Sequence, residues 1–245
     1  MRRASKWAWS FVCFLIPVAL TAQERSGTTA PGKPYTPPND IPLVERVIAA
    51  RREYQLALEL LRDVYVKTGD IERQKWVEEE LLSFHRIPKR AYRLELDVPP
   101  PSLRPEYNIP EANELYRRAM SYKGKGWFTE HDDNLRRAEI LLQQLLTLYP
   151  QSDKIDDAAY QLGEIYESRV FKQYRRAAMY YERCFQWNPN TQYDARLRAA
   201  RLYDRVLQER GRAAQLYREV LNHDTDEKRL DEAKRRLTEL SSMPP

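Results

Sequence analysis

Metal binding and acid–base catalysis most often start from histidine, and the chain has three, His85, His131 and His223, far apart in sequence. Only His131-Asp132-Asp133 sets an imidazole beside carboxylates, and no further strong ligand stands near it, where a metal site needs three or four. A polar loop between helices is the expected setting for that trio. The two cysteines are Cys13, inside an apolar run, and Cys184. If Cys13 leaves with a cleaved leader, Cys184 can form neither an internal disulfide nor a metal site. Glu78-Glu79-Glu80 occupy consecutive helical positions, face different ways and cannot work as an acid–base pair. No Gly-x-Ser-x-Gly, His-Glu-x-x-His or glycine-rich phosphate loop occurs. The expectation is a protein that is not an enzyme, with no catalytic residue, metal or cofactor.

The elements that position the remaining residues are set by composition. Of 245 residues, 42% are hydrophobic and 31% charged, enough apolar material for one core and too much for global disorder. Only 7 are glycine, which argues against a turn-rich β protein and leaves little material for a phosphate-cradling loop; the helical periodicity described below makes the expected fold all-α. The net charge is +5, from 41 Lys and Arg against 36 Asp and Glu. Without Arg2, Arg3 and Lys6 it falls to +2. What is left is mixed-sign charge of the kind found on solvated helices, so no nucleic-acid partner is expected. Lys228-Arg229 and Lys234-Arg235-Arg236 interleave with Asp231-Glu232 as a charged cap.

Met1 to Lys6 is basic, Trp7 to Ala19 is mostly apolar, and Leu20-Thr21-Ala22 places a small residue before Gln23. This is the order of a secretory signal peptide, and the apolar run is shorter than the ~20 residues of a membrane span. Residues 1–22 are therefore read as an export signal, with an uncleaved anchor as the alternative. Cys13 follows Ser10-Phe11-Val12 rather than a lipid-attachment pattern and reads as a small hydrophobe.

Prolines partition the remainder. Residues 23–42 form a Pro-rich linker. Residues 43–86 read as a helical hairpin. Leu43, Val47, Ala50, Tyr54, Leu58, Leu61 and Tyr65 recur at helical steps, Gly69-Asp70 breaks the run, and Trp76, Leu81 and Leu82 follow. Residues 87–110 are a Pro-rich extended connector in which Leu94, Leu96 and Val98 alternate with acids at a strand's period. That alternation suits an edge pairing with a partner chain or, preferred because Pro99-Pro100-Pro101 follows, a tether across the chain's own helices. From 111 to 243 only Pro150 and Pro189 interrupt.

Three stretches then align without gaps, beginning at Ala138, Ala177 and Ala213. Each has a larger apolar residue four later (Leu142, Tyr181, Tyr217) and a medium one at seven (Leu145, Cys184, Val220). A helix-ending residue stands at twelve (Pro150, Pro189, Thr225), and the starts are 39 and 36 residues apart. A leading helix precedes each, over 111–122, 156–168 and 193–208, carrying small residues Ala119, Gly163 and Ala199 where backbones should approach closely.

On these residues the chain resembles the tetratricopeptide repeat family, whose unit is a helix pair of about 34 residues. The resemblance covers 111–225, as repeats 111–150, 156–189 and 192–225, with 226–240 as a capping helix. Extra residues at Gly124 to Asp133 and Val170 to Tyr174 are expected to be loops. Tyr149-Pro150-Gln151-Ser152, with Asp157-Ala158-Ala159-Tyr160 and Leu162-Gly163 following, is similar to a bacterial envelope branch. That branch includes the outer-membrane β-barrel assembly lipoprotein and the Tol–Pal coordinator. The resemblance implies a right-handed α-solenoid in the periplasm or at the outer-membrane periphery, scaffolding protein–protein interaction. It further implies a concave groove binding a peptide or partner helix, built from Asn113, Tyr116, Met120 and Lys123, then Asp157, Tyr160, Glu164 and Glu167, then Tyr193, Arg196, Ala200 and Tyr203. Peripheral association with a membrane assembly fits the same setting. The alternative is a self-associating assembly component whose 43–86 hairpin docks on another copy.

Overall fold

The computed structural model describes residues 39–242. The leader, Cys13 and most of the 23–42 linker lie outside them. The described residues are all-α: ten helices and no strand, with one isolated bridge between Tyr107 and Ser152.

Helix α1 (Ile41–Thr68) takes Pro42 in its first turn, where a missing N–H forfeits no hydrogen bond. Gly69, at φ 70°, ends it, and the Asp70 carboxylate accepts from the Arg73 N–H at 3.1 Å to open α2 (Ile71–Arg86). Leu58, Val77 and Leu81, with Tyr65, form the seam of this hairpin. Apolar periodicity placed Leu43, Val47, Tyr54, Leu61 and Trp76 there too, yet all are exposed. The cause is length and pattern. At 28 residues α1 overruns the 16 of α2, and Leu56, Leu60 and Val64 give it a second apolar face.

The rest of the core comes from α4 (Pro110–Lys123), α5 (Phe128–Leu148), α6 (Ile155–Glu167), α7 (Tyr174–Trp187), α8 (Ala195–Arg205), α9 (Arg210–His223) and α10 (Glu227–Ser242). Each packs on the next in chain order, and α2 packs on α5. The nine aligned positions of α5, α7 and α9 (Ala138, Leu142, Leu145; Ala177, Tyr181, Cys184; Ala213, Tyr217, Val220) are all fully buried. Burial of a side chain of Leu or Val size contributes roughly 1.5–3 kcal/mol. The close approach at Gly163 is to a ring rather than to backbone: a Cβ there would lie 2.5 Å from Tyr181 Cε1. Cys184 sits beside the Thr191 hydroxyl, and burial pushes its thiol up to about 12, too high for a reactive thiolate.

Between the hairpin and α4, the alternating Leu94, Leu96 and Val98 do not form a strand. Leu94–Asp97 is one helical turn, α3, closed by the Val98 N–H to the Leu94 carbonyl at 2.9 Å. The segment lies across α7. Tyr180 Oη, Arg183 Nε and Trp187 Nε1 donate to the carbonyls of Asp97, Pro99 and Pro100 at 3.3, 2.6 and 3.0 Å. Prolines have no N–H, so what this run offers a helix surface is carbonyl oxygen.

The residues from Gly124 to Asp133 are mostly not a loop. Only 124–127 connect, and α5 begins at Phe128, which places His131, Asp132 and Asp133 in its first turns. Ion pairs hold this extension: Arg86 to Asp133 at 2.8 Å and Arg169 to Asp132 at 3.9 Å.

His85, near the end of α2, has a buried Nε2 without a hydrogen-bond partner. Burial lowers its pKa from 6.5 to about 4, Lys89 and Arg137 reinforce the shift, and Asp133 opposes it. The fold keeps the ring neutral where the unfolded chain protonates it. Stability is therefore lost as pH falls from about 6.5 to about 4. Discounted for partial exposure, the effect is about 1–2 kcal/mol. Urea unfolding of His85→Leu across that window is expected to show a pH dependence weaker than the parent's by that amount; identical dependences would remove His85 as the cause.

Candidate partner-binding face

Side chains of α4, α6 and α8 meet on one face. The Lys123 ammonium reaches both Gln161 and Glu164. The Arg198 guanidinium lies 3.1 Å from Glu164, 3.7 Å from Glu167 and 3.0 Å from Asp194. It also donates to the Tyr181 hydroxyl at 3.3 Å and covers the Tyr160 and Tyr181 rings at 5.4 and 5.8 Å. Tyr160 stacks on Tyr193, centroids 4.1 Å apart, and donates to Asp194 at 2.7 Å. Tyr193 donates to Asp157 at 2.9 Å, and Lys154 reaches the same carboxylate at 3.1 Å. Tyr116 adjoins Tyr193 and Gln161, and burial, then the Asp157 charge, raise its pKa.

The electrostatics follow from this pairing. Burial, then Asp194, raise the Tyr160 pKa, so its hydroxyl stays a donor through the physiological range. Burial works against charge on Arg198, but Tyr181, Asp194 and Tyr160 outweigh it and raise its pKa. The face is a fixed lattice of paired charges and rings. Its charged members stay partly accessible, the side chains of Lys123, Glu164 and Arg198 being 22%, 25% and 31% exposed. Tyr160, chosen from sequence as a contact residue, is instead buried beneath Tyr193 and Arg198, and Gln161 is buried too.

Of the residues selected from sequence, Tyr116, Lys123, Asp157, Tyr160, Glu164, Glu167 and Tyr193 come together here, Glu167 by accepting from Tyr181 at 2.7 Å. Asn113 turns to Asn108 at 3.1 Å, and Met120 packs against the core. Arg196 is buried over the Phe185 ring and donates to the Pro189 carbonyl at 2.9 Å, while Ala200 has no exposed surface. Tyr203 is buried and bonds to Glu182 on α7.

A one-residue register explains the misplaced third set. The Gln173 N–H donates to the Tyr166 carbonyl and the Glu209 N–H to the Tyr203 carbonyl, at 2.9 and 2.8 Å. These equivalent bonds make Tyr203 the counterpart of Tyr166. Likewise Tyr181 donates to Glu167 and Tyr217 to Asp204. The counterpart of Gly163 is therefore Ala200, not Ala199, and the α8–α9 turn is one residue shorter than the α6–α7 turn. Asp194 then corresponds to Asp157, and Arg198 to Gln161, each reaching back to the preceding leading helix. Arg198, Asp194 and Gln161 are the members sequence reasoning missed, and the signal available was turn length.

A second concavity, about 290 Å³, lies between α1, α5 and the connector, floored by Arg176 and Asp97. Arg176 Nε is 2.5 Å from Asp97 Oδ2, an ion pair without hydrogen-bond alignment, and its guanidinium covers the Tyr166 ring at 3.9 Å. Beside it the Gln143 amide serves the Tyr166 and Tyr180 hydroxyls, and Tyr166 donates to Glu139 at 2.6 Å. These polar groups answer one another.

Among the described residues no three His, Cys, Asp or Glu are grouped to hold a metal ion, and no helix is long and apolar enough to cross a membrane. No protein-family model matches the chain, and no curated protein matches it.

Proposed function

We propose that the protein is a non-enzymatic, exported scaffold of the bacterial cell envelope. Its helix pairs stack as a right-handed tetratricopeptide-type solenoid, and the α4/α6/α8 face binds a segment of a partner protein. The observation that supports this most is the Lys123–Glu164–Arg198–Tyr160–Tyr193 lattice. It joins α4, α6 and α8, is fixed before any partner arrives, and leaves the charged groups and Tyr193 partly accessible. A rigid face loses little conformational entropy on binding, and Tyr and Arg are the residues that most often dominate interface energy.

The test is to select peptides against the mature protein from a display library and map their footprint by hydrogen exchange. Protection is expected over 113–123, 157–167 and 193–201. Arg198→Ala and Tyr193→Ala are expected to weaken the selected peptide about tenfold or more while the protein stays folded. A footprint confined elsewhere overturns the reading.

Self-association is the second reading, favoured by the exposed Leu56, Leu60 and Val64 of α1. Light scattering that gives a dimer mass, abolished by Leu60→Glu with Val64→Glu, would support it in place of the groove.

A further inference from the structure

The concavity between α1, α5 and the connector has two unlike ends. At one end six charged groups act on one another: Asp97 faces Arg176, Arg51 and Arg52, and Lys89 faces Arg51 and Glu139. Four of these are cations and two are acids. Asp97 answers Arg176, and Glu139 accepts from the Tyr166 hydroxyl at 2.6 Å. The other three cations have no acid in hydrogen-bonding contact. Lys89 donates to the Phe84 carbonyl at 3.0 Å and lies 4.3 Å from the centre of its ring. Arg51 donates to the Arg90 carbonyl at 3.4 Å and lies 5.5 Å from the Tyr92 ring centre. Arg52 is exposed and makes no hydrogen bond or ion pair among the described residues. Arg136, whose charge also reaches Lys89, is matched by Asp133 at 3.7 Å. Burial lowers the Lys89 pKa; Glu139 opposes that, and Arg51 and Arg136 add to it, as befits a cation short of counter-charge. The other end is apolar and carries the remaining acid. Leu56 and Leu148 are exposed there, and Glu59 accepts from the Gln55 and Gln144 amides at 3.0 and 3.4 Å. An anion entering the slot is therefore drawn to one end only.

We propose that this slot binds a small amphipathic anion, with its carboxylate or phosphate against Arg51, Arg52 and Lys89 and its unbranched apolar chain running between α1 and α5 to Leu56 and Leu148. Guanidinium forks match the oxygens of either headgroup, and charge-assisted hydrogen bonds are the strong ones. Covering the two exposed leucines adds the apolar share of the affinity. The dimensions suit a small ligand. Arg52 to Glu59 spans about 11 Å of α1 at 1.5 Å per residue. The cavity, about 290 Å³, stands at the lower edge of the range of ligand pockets, roughly 300–1,000 Å³. The slot shares no residue with the α4/α6/α8 face and does not depend on the function proposed for it.

The test is calorimetric titration of the full chain with decanoate and decyl phosphate below their micellar concentrations, with inorganic phosphate and decyltrimethylammonium alongside. At least one of the two amphipathic anions is expected to bind about tenfold or more tightly than inorganic phosphate, and the cation is expected not to bind. The tighter of the two anions identifies the headgroup. Hydrogen exchange in the bound state is expected to slow over 48–59 and 139–148. Arg52→Gln removes a side chain that makes no hydrogen bond or ion pair, so the melting temperature should hold while affinity for the amphipathic anion falls about tenfold. Leu56→Gln with Leu148→Gln changes two exposed positions and should weaken the amphipathic anion about tenfold while leaving inorganic phosphate unaffected. The apolar leader is the same in parent and variants, so it cannot produce these differences. No binding of either amphipathic anion overturns the proposal, as does equal binding of inorganic phosphate or of the cation. Unchanged affinity in Arg52→Gln, or protection confined to other segments, overturns it as well.

Discussion

Asp97→Ala is expected to destabilise the protein by about 3 kcal/mol, a fall in melting temperature of roughly 6–12 °C for a chain of this size. Arg176 is buried, and Asp97 is the carboxylate placed directly against its Nε. Removing the acid leaves a guanidinium in the interior with one neutral acceptor, the Gln173 side-chain oxygen at 3.3 Å, the Tyr166 face and the more distant Glu139 charge for compensation. A lone buried charge costs more than an ion pair gains. Replacing both partners with apolar residues of similar volume, Asp97→Leu with Arg176→Met, is therefore expected to restore most of the loss. Thermal melts of the two single variants and the double form the cycle. A double variant as unstable as the sum of the singles would mean that the carboxylate acts by tethering the connector and not by balancing Arg176.

Gly163→Val is the other large effect, about 3 kcal/mol destabilising. The missing Cβ is what lets the Tyr181 ring lie against α6, with would-be contacts of 2.5, 2.6 and 2.9 Å to three ring atoms. The ring has nowhere to go, since Tyr181 is fully buried and its hydroxyl is fixed by Glu167 and Arg198. Gly163→Ala should cost less, because alanine regains up to about 1 kcal/mol of helix propensity, and Tyr181→Leu in the same chain should recover part of the remainder. Gly211 is the control: nothing lies within 4 Å of its would-be Cβ, and Gly211→Ala should stay within about 0.5 kcal/mol of the parent by chemical denaturation. Equal costs at the two glycines would show that backbone freedom, and not the ring, explains Gly163.

Helix ends marked by backbone chemistry were legible in the sequence. Gly69 stops α1, and Pro150 and Pro189 stand just past the last turns of α5 and α7. The all-α character follows from the three- and four-residue spacing of apolar positions. Less legible were features decided between segments. Ala199 and Ala200 are chemically identical neighbours, and choosing between them requires the length of the turn after α8, which Glu209 and Tyr203 set through a backbone bond. The amino-terminal extension of α5 is polar and offers no apolar stripe to count; it is held by charges from α2 and the α6–α7 turn. The Leu94–Val98 alternation identifies a residue to bury, Val98, but says nothing of an extended ladder, because no neighbouring strand supplies hydrogen bonds. Six of the residues chosen for the groove meet on one surface because Ala119 and Gly163 fix the phase of α4 and α6, whereas Tyr193 precedes α8 and joins them through its stack on Tyr160. Arg198, at the centre of that surface, lies outside the phase that was counted.

The carbonyls that the connector lends to Tyr180, Arg183 and Trp187 change how the molecule should come apart. In a simple row of stacked units each touches only the next, and loss begins at a free end and travels inward. Here a cord anchored in the amino-terminal hairpin is fastened to the middle of the row, and the hairpin itself leans on α5. Peeling α9 and α10 away leaves the fastened centre intact, whereas cutting the cord exposes the flank of α7 and leaves the hairpin held by its packing and the Arg86–Asp133 pair on α5 alone. Mechanical and proteolytic weakness is thereby shifted to the carboxy-terminal pair, while the portion that carries the Tyr160–Tyr193 stack is braced from behind.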